Sequence, residues 1–142
     1  MNPLLEKKLN RNFPDLIRND LVIECLDGWY QIIHDMCYLI EQQEPHTVPV
    51  GYYSTNLDSS NNIEVEINQI KEKFGGLRVY YHGGNDIVAG IVKMAEKHSF
   101  STCENCGNPA KCKTVGHLTK TICNNCRKFM QAKNLNKKKL KQ

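Results

Sequence analysis

Two Cys-x-x-Cys pairs hold the densest chemistry in the chain. They are Cys103-Glu104-Asn105-Cys106 and Cys123-Asn124-Asn125-Cys126, with sixteen residues between them. Four thiolates supplied in two such pairs close a tetrahedron around Zn²⁺, each two-residue knuckle turning its sulfurs and backbone amides toward the ion. A shell of four sulfurs leaves no position for water or substrate, so the expected cofactor is a structural zinc and not a Lewis-acid centre. Two disulfides or four unrelated cysteines are the competing readings, and the spacing favours metal. Gly107 follows the first pair, where a tight turn calls for positive φ. Gly116-His117 lies midway between the pairs, where a hairpin must reverse. The expected local fold is knuckle, strand, turn, strand, knuckle: a zinc ribbon. That pattern speaks to metal and hardly to function, because ribbons serve nucleic-acid binders, adaptors and enzymes alike.

Other residues are weaker candidates. His82 and Asp86 flank a glycine turn and could act as base and orienter. No Walker-type phosphate loop and no Gly-x-Ser-x-Gly accompany them, so the expectation is a protein that is not an enzyme. Lys73 precedes a strand on which Arg78, Tyr80 and His82 alternate toward one side. A basic and aromatic stripe of this kind suits nucleotide stacking or a protein groove, unless a helix covers it or water simply wets it. Cys112 reads as a small apolar residue of the ribbon's first strand, and Cys25 and Cys37 as core. His98 and His117 are not needed as ligands while four thiols are present. The cationic end (Arg127, Lys128, Lys133, Lys137, Lys138, Lys139, Lys141) would add salt-sensitive, sequence-blind affinity for nucleic acid, or else only solubilise the chain.

Charge is distributed unevenly. Residues 1–102 carry 9 Lys/Arg against 14 Asp/Glu, a net of −5, and residues 103–142 carry 10 against 1, a net of +9, which together give the chain's +4. An acidic body with a basic end points to an anionic partner for that end. No apolar run reaches the ~18 residues of a membrane span. The first residues lack a secretory segment, and seven cysteines, four at metal spacing, favour a reducing compartment.

These candidates need elements to hold them. Residues 3–12 read as a helix with Pro3 in its first turn, stopped by Phe13-Pro14. Residues 16–26 are apolar without a clear period. Trp29, Ile32, Ile33, Met36, Cys37 and Ile40 form one stripe of a helix over about 28–43, with Asp27 as its expected N-cap. Trp29 is read as core. Residues 45–62 form a loop with a short strand at Val48 to Tyr53. Ile63, Val65 and Ile67, then Leu77, Val79 and Tyr81, alternate with polar residues as two strands of a hairpin reversing at the paired glycines of 71–76. A bulge or an early strand end is expected at Gln69-Ile70. Asn85 should cap a helix over 86–98 whose buried face gathers Ile87, Ile91, Met94, Ala95 and His98, with Val88 and Val92 beside it and Gly90 close to the sheet. Residues 127–135 could extend the ribbon as a helix that docks Phe129 and Met130. The fold class is thus α+β: a small antiparallel sheet packed by helices over 1–100, a four-cysteine zinc ribbon over 101–130, and a basic, disordered tail over 131–142.

The run Gln69-Ile-Lys-Glu-Lys-Phe-Gly-Gly-Leu-Arg-Val-Tyr-Tyr81 resembles the Lys-Glu-Lys-Phe-Gly-x-Leu-Arg-x-Tyr signature of small, mostly uncharacterised proteins of bacteria and prophages. In that group a Gly-Trp helix precedes the signature, here Gly28-Trp29. A short helix and a Cys-x-x-Cys-Gly ribbon follow, here from Ile87 and Cys103. The lysine tail departs from the group, which is apolar after the ribbon. The resemblance implies a phage protein working in the cytoplasm of a bacterial cell. Together these readings predict a non-catalytic zinc-ribbon protein that engages nucleic acid or a nucleoprotein complex. A stoichiometric inhibitor of a host defence enzyme, of the anti-CRISPR kind, is the alternative. A small enzyme using His82 and Asp86 is the second.

Overall fold

The computed structural model describes residues 1–43 and 64–130. The expected strand at Val48 to Tyr53, the loop around it and the lysine tail lie outside the described residues. The architecture is α+β, with a three-stranded sheet, a separate two-stranded ribbon, and helices against one face of the sheet.

Helix α1 spans Pro3–Asn12. Asn2 caps it by accepting the N–H of Leu4 at 2.9 Å, and Pro3 takes the first turn, where a missing N–H costs nothing. Phe13 ends it, and Leu9 and Phe13 drop into the core. The untyped stretch that follows runs along the sheet edge. Ile17 bridges Ile67, and strand β1 (Ile23–Glu24) pairs in parallel with β2 (Val65–Lys73). The sheet is therefore mixed, where an all-antiparallel one was expected.

A 3-10 turn over Asp27–Trp29 leads into α2 (Tyr30–Glu41). Ile32, Ile33, Met36, Cys37 and Ile40 are buried as the period requires, each contributing roughly 1.5–3 kcal/mol of burial. Asp27 does not cap this helix. Its Oδ1 accepts the backbone N–H of Asn2 at 2.7 Å, tying the start of α1 to the start of α2.

Strands β2 and β3 (Gly76–Gly83) form the hairpin. Its register slips between Ile67 and Gln69, so the bulge falls at Asn68 and the strand runs on to Lys73. The extra residue is what lets Ile67 and Ile70, three apart, both face the helices. The reversal is two residues long, Phe74 at φ 54° and Gly75 at φ 79°, the positive pair of a type I′ turn.

Helix α3 (Asp86–Ser99) begins at Asn85, whose Oδ1 accepts the N–H groups of Ile87 and Val88. Its buried stripe is Val88, Val92, Ala95 and Ser99. The expected stripe lies one step around: Met94 is 76% exposed and Ile87 half exposed. Gly90 has no neighbour on its Cβ side, so it is not a close-packing glycine. The end of α3 seals the outer edge of β3: Ser99 Oγ accepts the N–H of Leu77 at 2.8 Å, and Glu96 Oε1 that of Val79 at 3.1 Å.

Strands β4 (Cys112–Val115) and β5 (Leu118–Thr121) make the ribbon hairpin, reversing at Gly116-His117. Residues 124–130 are helical. Phe129 is 73% exposed and Met130 is also open to solvent, so neither docks as expected.

Candidate metal centre

The two knuckles meet at the root of the ribbon. The Sγ atoms of Cys103, Cys106, Cys123 and Cys126 all lie within 4.8 Å of one another, and no histidine joins them. Cys106 and Cys123 are 3.7 Å apart at sulfur. A tetrahedral ion with Zn–S bonds of about 2.3 Å sets sulfurs about 3.8 Å apart, whereas a disulfide needs about 2.05 Å. All seven cysteines are free thiols, and the donor set fits a tetrahedral ion.

The backbone prepares the sulfurs for charge. Cys103 Sγ accepts the N–H of Cys123 at 3.3 Å and Cys123 Sγ that of Cys126 at 3.5 Å, while Cys126 Sγ accepts from the side-chain Nδ2 of Asn105 at 3.2 Å. The Cys126 N–H leads the effects that hold the Cys123 thiol down at about 7. On Cys126 the Asn105 amide pulls the other way, yet burial and the neighbouring thiols push that group up to about 12. Burial likewise raises Cys103. A bound cation would favour the thiolate form of the cysteines that hold it.

The first knuckle is locked to the body. Gly28 lies against it so closely that a Cβ there would sit 2.2 Å from the Cys103 carbonyl oxygen and 2.6 Å from the Cys106 nitrogen. The Gly28 N–H donates to the Glu104 carbonyl at 2.8 Å, and Trp29 Nε1 donates to the Thr102 carbonyl at 2.8 Å. Trp29 is core, as expected, and it is also the strut of the metal site.

Glu104, between the two cysteines of the first knuckle, escaped sequence reasoning. Its side chain is 2% exposed and accepts the Leu26 N–H at 3.3 Å and the Lys120 ammonium at 3.1 Å. Lys120 also meets Glu72 of β2 at 2.6 Å. Burial works to lower the Lys120 pKa, but the two carboxylates outweigh it and raise it. Glu72 Oε1 further accepts the Gly75 N–H at 2.7 Å, and Thr121 Oγ1 donates to the Gly75 carbonyl. Cys112 stands under the same turn, its Sγ 4.0 Å from the Phe74 carbonyl, apart from the four-thiol group. The Lys-Glu-Lys-Phe-Gly-Gly run is thus the hairpin tip on which the ribbon rests. The one available signal was an acidic residue inside a knuckle of an otherwise basic segment.

The remaining candidates are dispersed. Lys73, Arg78 and Tyr80 share one sheet face: Lys73 stacks on Phe74, Arg78 on Phe100, and Tyr80 lies under Lys71. His82 and Asp86 are both exposed, at the end of β3 and the start of α3, and no hydrogen bond among the described residues joins them. Arg127 follows Cys126 with Nε and Nη2 buried, and Lys128 is exposed. Lys133, Lys137, Lys138, Lys139 and Lys141 lie outside the described residues. No helix of the described residues is long and apolar enough to cross a membrane. No family model, curated protein or solved structure matches the chain.

Proposed function

We propose that the four thiolates hold a structural zinc and that the chain is a non-catalytic binding protein for nucleic acid or a nucleoprotein complex. The observation that carries this reading is the fate of Glu104. It is the only acidic residue in 103–142, and it is turned inward onto Lys120. The ribbon therefore shows Lys111, Lys113 and Lys128 to solvent with no exposed carboxylate of its own to offset them. A zinc tetrathiolate would add −2 at one pole, and ten Lys/Arg across this segment outnumber it. Cations arranged this way gain by releasing counterions from phosphates. The resemblance noted in the sequence supports a phage protein acting in the cytoplasm of a bacterial cell.

The test is anisotropy of labelled DNA and RNA with the zinc-loaded chain over a range of salt. We expect affinity to fall steeply with salt, and to weaken when residues 133–142 are removed. Absence of binding at low salt refutes the reading.

One observation favours the inhibitor reading. A groove of about 400 Å³ between α2 and α3 exposes Leu39 and Met94 beside Ile32, Met36 and Ile91. A host protein captured from nuclease-treated lysate, and still bound after tail deletion, would favour it over nucleic acid.

A further inference from the structure

The sheet has one face on the helices and one face open. Directly opposed residues share a face, so the pairs Glu24 with Lys71, Lys71 with Arg78, and Gln69 with Tyr80 place all five on the open side, with Lys73 opposite Gly76. Ile70, Leu77 and Val79 take the other side into the core. Along this stretch the open face holds Lys71, Lys73 and Arg78 with the carboxylate of Glu24, and farther along the same face Glu66 lies opposite His82, in a body whose net charge is −5. Glu24 accepts the Gln69 side-chain amide at 3.1 Å and Glu66 is ion-paired with Arg18 at 3.1 Å, so the cations beside Tyr80 still outnumber the one carboxylate near them.

Each cation is paired with a ring. Lys71 Nζ lies 4.9 Å from the Tyr80 centroid, Lys73 Nζ 5.4 Å from Phe74, and Arg78 Cζ 5.6 Å from Phe100. Two of these rings remain available, Tyr80 at 44% and Phe74 at 71% exposure. From Tyr80 to the hairpin tip the row is about 14 Å long, at about 3.4 Å per residue. Phe74 adds an independent oddity. It holds φ 54° at the turn, a conformation that glycine or asparagine takes readily and a bulky ring does not. A large apolar side chain thus stands at the tip, in solvent, against the preference of its own backbone.

The geometry points to a binding site for single-stranded nucleic acid on this face, with bases stacking on Tyr80 and Phe74 and phosphates meeting Lys71, Lys73 and Arg78. Charge complementarity selects a polyanion, and the exposed rings select unpaired bases over duplex, whose bases are already stacked. The inference rests on the nucleic-acid reading above and adds the strandedness and the place. Sheets that bind RNA by surface aromatics stack about two or three bases, which suits the length of the row.

The experiment uses the zinc-loaded full chain with three labelled probes: an oligothymidylate, a duplex, and an abasic strand of equal charge. We expect the oligothymidylate to bind at least about tenfold more tightly than the abasic strand, with the duplex also weaker. Tyr80→Ala and Phe74→Asn should each weaken it about tenfold without changing the salt slope, and Tyr80→Phe should retain it. Phe74→Asn guards against misfolding, because it installs the Asn-Gly pair the turn prefers. Lys71→Gln should lower the salt slope by about 1. If the abasic strand or the duplex binds as tightly as the oligothymidylate, or if both ring variants bind like wild type, this site is wrong while salt-dependent binding by the ribbon stands. If no probe binds at any salt, both readings fall. A protein partner from nuclease-treated lysate that is lost with Tyr80→Ala, with oligothymidylate affinity unchanged, also overturns the site.

Discussion

Trp29 Nε1 donates to the carbonyl oxygen of Thr102 at 2.8 Å, one residue before the first metal-site cysteine. The bond crosses 73 residues of chain and is buried, so the knuckle and the core share one anchor. Trp29 is the only tryptophan, which makes its emission a report on the metal centre. Chelation of the purified protein should shift that emission to the red and reduce near-ultraviolet dichroism, and added Zn²⁺ should restore both. An unchanged Trp29 spectrum after confirmed loss of metal would falsify the coupling.

Gly28→Ala tests the same contact from the other side. A methyl group 2.2 Å from the Cys103 oxygen has to displace backbone on both elements. We expect a loss of at least about 2 kcal/mol, read as a lower urea midpoint of the metal-loaded protein, together with weaker metal retention in a chelator competition.

Glu104→Ala should also be costly. The Leu26 N–H loses its acceptor, and the Lys120 ammonium keeps Glu72 alone. A loss of roughly 2–3 kcal/mol is expected for this group, and Glu104→Gln, which can still accept from Leu26, should lose less. Equal stability of Glu104→Ala and wild type by chemical denaturation would show that the inward carboxylate is structurally idle.

Phe74→Asn should do the opposite and raise stability by about 1 kcal/mol, because it relieves a left-handed conformation that phenylalanine resists. Thermal unfolding compares the two. A lower melting temperature would mean that the stacking of Lys73 on the ring outweighs the backbone preference.

Stability should also fall in alkali. Burial is the first cause that pushes Cys25 and Cys37 each up to about 12, while an unfolded thiol titrates near 9. Between those values the folded chain holds protons that the unfolded chain has lost. Stability is therefore complete below about pH 9 and declines above it, by roughly 1.4 kcal/mol per pH unit for each thiol. Cys37→Val should lessen that slope by roughly 1.4 kcal/mol per pH unit in denaturation curves taken between pH 9 and 11, and an unaltered slope would assign the decline to other groups.

Much of the fold was legible because most elements carry their own period or cap. Asn2 and Pro3, the stripe from Ile32 to Ile40, the alternation from Leu77 to Tyr81, Asn85, and the paired knuckles each state a local preference that the packing kept. What failed to show is what depends on a distant partner. Strand β1 is two residues long, too short for any period, and exists because Ile70 and Lys71 lie beside it. Helix α3 offers two adjacent apolar stripes, and only the sheet edge, by using Ser99 as an acceptor, decides between them. Glu104 and Lys120 look like surface charges until the hairpin tip brings Glu72 to them.

The lock between knuckle and body also sets when the molecule can finish folding during synthesis. Leu26, Gly28 and Trp29 wait for acceptors at Thr102 and Glu104, and the hairpin tip at Gly75 waits for Thr121. While the last third of the chain is still inside the ribosome, those groups have only water, so the early segments emerge as an unfinished core. Completion therefore waits for Thr102, Glu104 and Thr121 to emerge, so the order of synthesis and the order of core closure run apart.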